Sequence, residues 1–176
     1  MVRSLATHGL GLVVSAGIAF SAAAQVPSVE VPTYMASLKK FDDWEVICNK
    51  PEGTKENRCL AHQTQTVKQS NTRLIQVSLG RLGLHGEPVL VAMVPLGIWL
   101  PSGVALKIDD LPQVPMTVTQ CTEKGCAAQV QVAESMMKSV LDAKAMSVGM
   151  IAAGSAQTLA IAISPKGLKS AWSAVK

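Results

Sequence analysis

The chain has 176 residues, 48% of them hydrophobic and 16% charged, with 16 Lys and Arg against 12 Asp and Glu for a formal charge of +4. That mild excess is far from the clustered basic footprint of a nucleic-acid binder. The length fits one domain able to bury a core of its own.

Arg3 precedes a charge-free stretch from residue 9 to residue 20, and Ala22-Ala23-Ala24 stand before Gln25. This is the layout of a secretory signal, so residues 1–24 are expected to be removed after Ala24. The apolar stretch falls short of the roughly 20 residues a spanning helix needs, and Gln25 offers no thiol for an acyl anchor. Removing 24 of the 176 residues leaves 152 with a charge of +3 and no transmembrane segment. The periplasm is the expected destination, with outer-membrane association or secretion as further possibilities. Residues 25–40, with Pro27 and Pro32 and no apolar period, read as a flexible arm ahead of a domain at 41–176.

The domain opens at Phe41, and Trp44, Val46 and Cys48 share one face of an alternating strand. Residues 49–58, with Pro51, Gly53 and Asn57, form a polar loop before a second strand that begins at Cys59. A third strand places Ile75, Val77 and Leu79 on one side. Residues 80–88 then form a glycine-bearing loop that holds His85.

The run at residues 89–94 is apolar on both faces, as a strand covered on both sides would be. Pro95, Gly97, Pro101 and Gly103 break it from a strand in which Val104, Leu106 and Ile108 alternate with more polar neighbours. Residues 111–115 read as a kinked connector. A strand from Met116 to Gln120 ends in Cys121, and a returning one runs from Cys126 through Ala128, Val130 and Val132. At residues 134–145 the period changes to three and four, which marks a short helix with Met136, Met137, Val140 and Leu141 on one face. Two more strands follow, at 146–152 and 158–163. Ser164 is then expected to cap a terminal helix with Pro165 in its first turn and Leu168, Trp172 and Val175 on one face.

Four cysteines in an exported chain form an even set. Local order pairs Cys48 with Cys59 and Cys121 with Cys126, each across a turn between strands that run back past one another. Gaps of ten and four residues do not match zinc-ligand spacing, and neither pair forms the C-x-x-C of a thiol-exchange enzyme.

His62 and His85 are the candidate catalytic bases, with Ser78 or Ser102 as nucleophile and Asp109 as orienting acid, yet no spacing assembles them into a motif. Asp42-Asp43 and Asp109-Asp110 sit at strand boundaries, where carboxylates accept from turn N–H groups. Lys166, Lys169 and Lys176, on the face of the last helix away from Trp172, read as solvated charge, with contact to an anionic partner as the alternative. No cofactor, metal or catalytic residue is assigned.

Together these residues resemble the bacterial invasion associated locus B family. The resemblance is carried by Phe41-x-x-Trp44-x-Val46-x-Cys48, by Cys59 with Gln63, and by Val94-Pro95-Leu96-Gly97-Ile98 through Leu100. It continues through Gly103-Val104-x-Leu106-x-Ile108-Asp109, Cys121-x-x-x-Gly125-Cys126-x-Ala128 and Gly167. Leu168 departs from it, standing where the family usually has Phe. The resemblance implies a mainly β, immunoglobulin-like antiparallel sandwich with two short helices. In some members it also implies a link to host-cell entry. The expected function is therefore that of a non-enzymatic envelope or secreted protein that binds a partner, protein or envelope component. An envelope hydrolase built on His62 or His85 is the alternative.

Overall fold

The computed structural model describes residues 37–49, 58–70, 72–155 and 157–175. The expected signal sequence, residues 25–36 of the expected arm, residues 50–57 of the expected polar loop and Lys176 lie outside them.

Alternation in sequence becomes alternation in burial. The strands are β1 Ser37–Phe41, β2 Trp44–Asn49, β3 Arg58–Thr66, β4 Arg73–Arg81, β5 Pro88–Val94, β6 Val104–Ile108, β7 Val114–Thr122, β8 Gly125–Gln131, β9 Met146–Ile151 and β10 Thr158–Ile163. Helix α1 spans Glu134–Leu141 and α2 spans Leu168–Ala174. Val46 in β2, Ile75 and Val77 in β4, and Val104, Leu106 and Ile108 in β6 are buried, while the residues between them face outward.

All neighbouring strands are antiparallel, in the order β1-β2-β3-β4-β5-β8-β7-β6-β9-β10. The ribbon changes partner within β7. Val114, Pro115 and Met116 pair with β6, and Thr117 to Thr122 pair with β8, with a bulge between Val118 and Gln120. A bulge bends and twists its strand, and a strand shared between two sheets makes a corner. Here the corner folds the ribbon so that β10 lies against β4. Inward side chains from both halves, among them Trp44, Leu79, Leu90, Leu106, Val148 and Ile163, join one core. Helix α2 continues the second layer over β1, β2 and β3.

Several boundaries differ from those the sequence pattern predicts. Residues 37–40, expected in the arm, form the outer strand β1 against β2, with Lys40 opposite Glu45. Residue 114 already belongs to a strand, because the corner needs partners on both sides of it. In β5 only one face is covered, and Val91 and Met93 on the other are half-buried. Helix α1 stops at Leu141. The last helix begins at Leu168, three residues after Pro165. Its N-cap is Gly167, at φ 88°, where a Cβ would stand 2.0 Å from the Phe41 carbonyl oxygen. Ser164 and Pro165 therefore lie in the turn ahead of the helix, with Leu168 N–H donating to the Pro165 carbonyl at 3.1 Å. Leu168, Ala171 and Val175 are buried. Trp172 is half-buried beneath the Arg81 guanidinium, which lies 5.2 Å from its ring centre.

Candidate functional site

A polar depression of about 390 Å³ opens beside the β1–β2 turn, lined by Asp42, Asp43, Glu45, His62 and Thr64 among others. Strand register sets Glu45 opposite His62 and His62 opposite Ser78. These are the residue types of a hydrolase, in a row across three strands. Among the described residues, however, His62 is hydrogen-bonded to Thr64, with Nε2 and Oγ1 3.3 Å apart, and to neither Glu45 nor Ser78. Partial burial holds the His62 imidazole below its ordinary pKa, and the Glu45 carboxylate opposes that shift more weakly.

The other catalytic candidates are dispersed. His85 is exposed in the β4–β5 loop, where its backbone N–H donates to Glu87 Oε2 at 2.9 Å. Ser102 precedes β6 and Asp109 follows it, so the length of a strand separates them. Asp109 Oδ1 accepts from the N–H groups of Lys144 and Ala145 at 3.0 and 2.8 Å, as a turn-capping carboxylate does. Among the described residues no three His, Cys, Asp or Glu side chains are grouped as metal ligands.

Behind the depression lies Gln63, a polar side chain only 4% exposed. Its Nε2 donates to the carbonyls of Asp43 and Ser164, each at 3.1 Å, and its Oε1 accepts from Ser164 N–H at 3.0 Å. Trp44 Nε1 donates to the same Ser164 carbonyl at 2.7 Å, and Ser164 Oγ donates to Asp43 Oδ2 at 2.6 Å. The motif residues Trp44 and Gln63 thus fasten the segment after β10 to the first layer.

The two disulfides join Cys48 to Cys59 and Cys121 to Cys126, and no cysteine is free. Each pair stands directly opposite in the register of its hairpin. Of the three lysines expected on the last helix, only Lys169 stands on it, with Nζ 2.6 Å from Asp142, while Lys166 lies in the turn ahead of it with Nζ 3.6 Å from Asp42. Lys176 lies outside the described residues. Lys138 also reaches Asp142, at 3.1 Å, and the two lysines hold that carboxyl below its usual range, Lys169 with the larger effect.

The sequence pattern predicts no more than a turn between β5 and β6. The loop there presents Leu96, Trp99 and Leu100 at 56%, 53% and 51% exposure, around a buried Ile98. Backbone bonds pin it to the end of β9. Trp99 N–H donates to the Ile151 carbonyl and Ala153 N–H to the Gly97 carbonyl, both at 2.7 Å, and Ile98 bridges to Ala152. The signal for this surface was present in L-G-I-W-L-P, since a turn exposed to water ordinarily carries polar side chains between its Pro and Gly. A second apolar pair, Leu82 and Leu84, is exposed in the β4–β5 loop, where it shares a shallow depression with His85 and Glu87.

Residues 44–176 match the family model described as invasion associated locus B (IalB) protein. Two invasion protein B homologs of Brucella abortus, from strain 2308 and from biovar 1 strain 9-941, are each 28% identical over 131 residues. The aligned part covers 74% of this chain and 74% of theirs. The crystal structure of invasion associated protein B from Bartonella henselae superposes with a TM-score of 0.69 at 20% identity, over 78% of this chain and 93% of that one. At that identity the likeness speaks for the fold.

Proposed function

The chain belongs to the invasion associated locus B family, and from that premise we propose that it is an exported, non-catalytic envelope or secreted protein that acts by binding a partner. The contact surface in this reading is the loop bearing Leu96, Trp99 and Leu100. One observation carries it: three large apolar side chains are held outward by a backbone that is itself hydrogen-bonded to β9. Exposed apolar groups gathered in one place mark interaction surfaces, and Trp is among the residues that dominate binding energy. The two disulfides support export, since such bonds persist in oxidising compartments. A role in host-cell entry follows the names of the Brucella and Bartonella relatives and is part of the proposal.

Lys166 and Lys169 are the alternative contact, but their carboxylate partners within the chain favour a structural role. The row Glu45, His62, Ser78 is what favours a hydrolase. Without a hydrogen-bonded relay it lacks the geometry of an activated nucleophile.

Proximity labelling in the exporting cell tests the proposal. The full chain is expected to label a reproducible set of envelope neighbours that the Leu96→Ser/Trp99→Ser/Leu100→Ser variant loses. Identical labelling by both would remove the loop from the function. Ester turnover abolished by His62→Ala would favour the enzyme instead.

A further inference from the structure

We propose that the partner met by this loop is the surface of a bilayer containing anionic phospholipid, an inference that rests on reading the loop as the contact surface. Four turns come together at this end of the sandwich. Val94 leaves β5 opposite Cys126, and Gly125 is so close that a Cβ there would stand 2.4 Å from the Val94 carbonyl oxygen. The loop therefore starts beside the β7–β8 turn. Arg73, at the start of β4, donates to the Lys124 carbonyl, which brings in the β3–β4 turn. The β9–β10 turn joins through Ala153 and Gly97.

The side chains at this end are of two kinds. Leu96, Trp99 and Leu100 are the apolar part, joined by Val67 of the β3–β4 turn at 37% exposure. Lys68, Arg73 and Lys124 are the cations of these described turns, and Glu123 is their one acid. Glu45 pairs with His62, so the same register sets Asp43 and Asp42 level with Thr64 and Gln65, about 7 and 3 Å short of the end of β3 at Thr66. Both carboxylates are engaged within the chain, Asp43 by Ser164 Oγ and Asp42 by Lys166 Nζ.

A protein partner would be expected to offer its anchors a pocket or take one into a groove. Here depressions of about 390, 400 and 380 Å³ lie elsewhere, a smaller one of about 190 Å³ begins at Ser102 and Gly103 where the loop rejoins β6, and none of the four is lined by Leu96, Trp99 or Leu100. A projecting apolar tip with cations around it is the pattern that inserts shallowly into the headgroup region while Lys and Arg meet anionic lipid. Trp suits that depth because its ring is apolar and its indole N–H is polar. Among the described residues, no hydrogen bond holds the Trp99 indole N–H within the chain.

The test is co-sedimentation of the processed protein, purified after export, with vesicles of phosphatidylcholine alone or mixed in equal parts with phosphatidylglycerol. Binding is expected to the mixed vesicles, at least about tenfold tighter than to phosphatidylcholine, and to weaken as salt screens the cations. Leu96→Ser/Trp99→Ser/Leu100→Ser and Lys68→Glu/Lys124→Glu are each expected to lower it about tenfold, and Leu84→Ser, at the other end, to leave it unchanged. Both multiple variants change exposed side chains, and thermal melting verifies that they fold. No binding to either vesicle, or binding indifferent to both variants, overturns the inference. If vesicles fail while a photo-crosslinker at position 99 captures one defined protein in the cell, the lipid inference falls and the loop remains the contact surface. If neither occurs, both fall.

Discussion

Gln63 and Ser164 are 101 positions apart and meet in a reciprocal pair. The Gln63 amide donates to the Ser164 carbonyl while its oxygen accepts the Ser164 N–H. The segment after β10 has no strand partner there, so a side chain from β3 satisfies its backbone in place of a ladder. Gln63→Leu keeps the volume and removes the pairing, leaving the Ser164 N–H without its acceptor. A loss of about 2 kcal/mol in urea unfolding is expected.

Gly167 and Gly86 share a left-handed backbone, at φ 88° and 82°, but differ in surroundings. Beside Gly86 a Cβ meets nothing within 4 Å, whereas at Gly167 it would collide with the Phe41 carbonyl. Gly86→Ala is expected to lose about 1 kcal/mol from backbone strain alone. Gly167→Ala is expected to lose clearly more, because α2 must shift away from β1. Parallel denaturant titrations of the two variants make the comparison.

Burial lowers the His62 pKa in the fold from its ordinary 6.5. Between the lowered value and 6.5 the unfolded chain binds a proton that the folded chain refuses, so stability falls as pH drops through this window. His62→Gln is expected to flatten that part of the stability profile and to leave stability above it little changed. Chemical denaturation at a series of pH values from neutral to about pH 5 reads the slope.

The two staples close loops of different length, with sequence separations of 11 and 5. Chain entropy gives the Cys48–Cys59 bond about 3 kcal/mol and the Cys121–Cys126 bond about 2 kcal/mol. Cys48→Ser/Cys59→Ser is therefore expected to melt at a lower temperature than Cys121→Ser/Cys126→Ser. The reverse order would point to residual structure in the unfolded chain.

Much of this fold was legible because two-residue periodicity states which face of a strand is inward. It points Trp44 and Val46, Ile75 and Val77, and Leu106 and Ile108 inward, and all are buried. Boundaries set by tertiary partners were not legible. β1 is a strand because β2 lies beside it, β7 starts early because the ribbon turns there, and α2 starts late because Gly167 presses on Phe41. The surface was the least legible part. A Trp bracketed by Pro and Gly reads equally as core or contact until the buried Ile98 fixes which way its neighbours point.

The most direct measurement places a photo-crosslinking residue at position 99 or, as control, at position 144, an exposed site at the opposite end of the second layer. Mass analysis after irradiation of living cells is expected to find an adduct, lipid or a defined protein, at 99 and none at 144. No adduct at 99, or equal adducts at both positions, would contradict a binding protein that works through this loop.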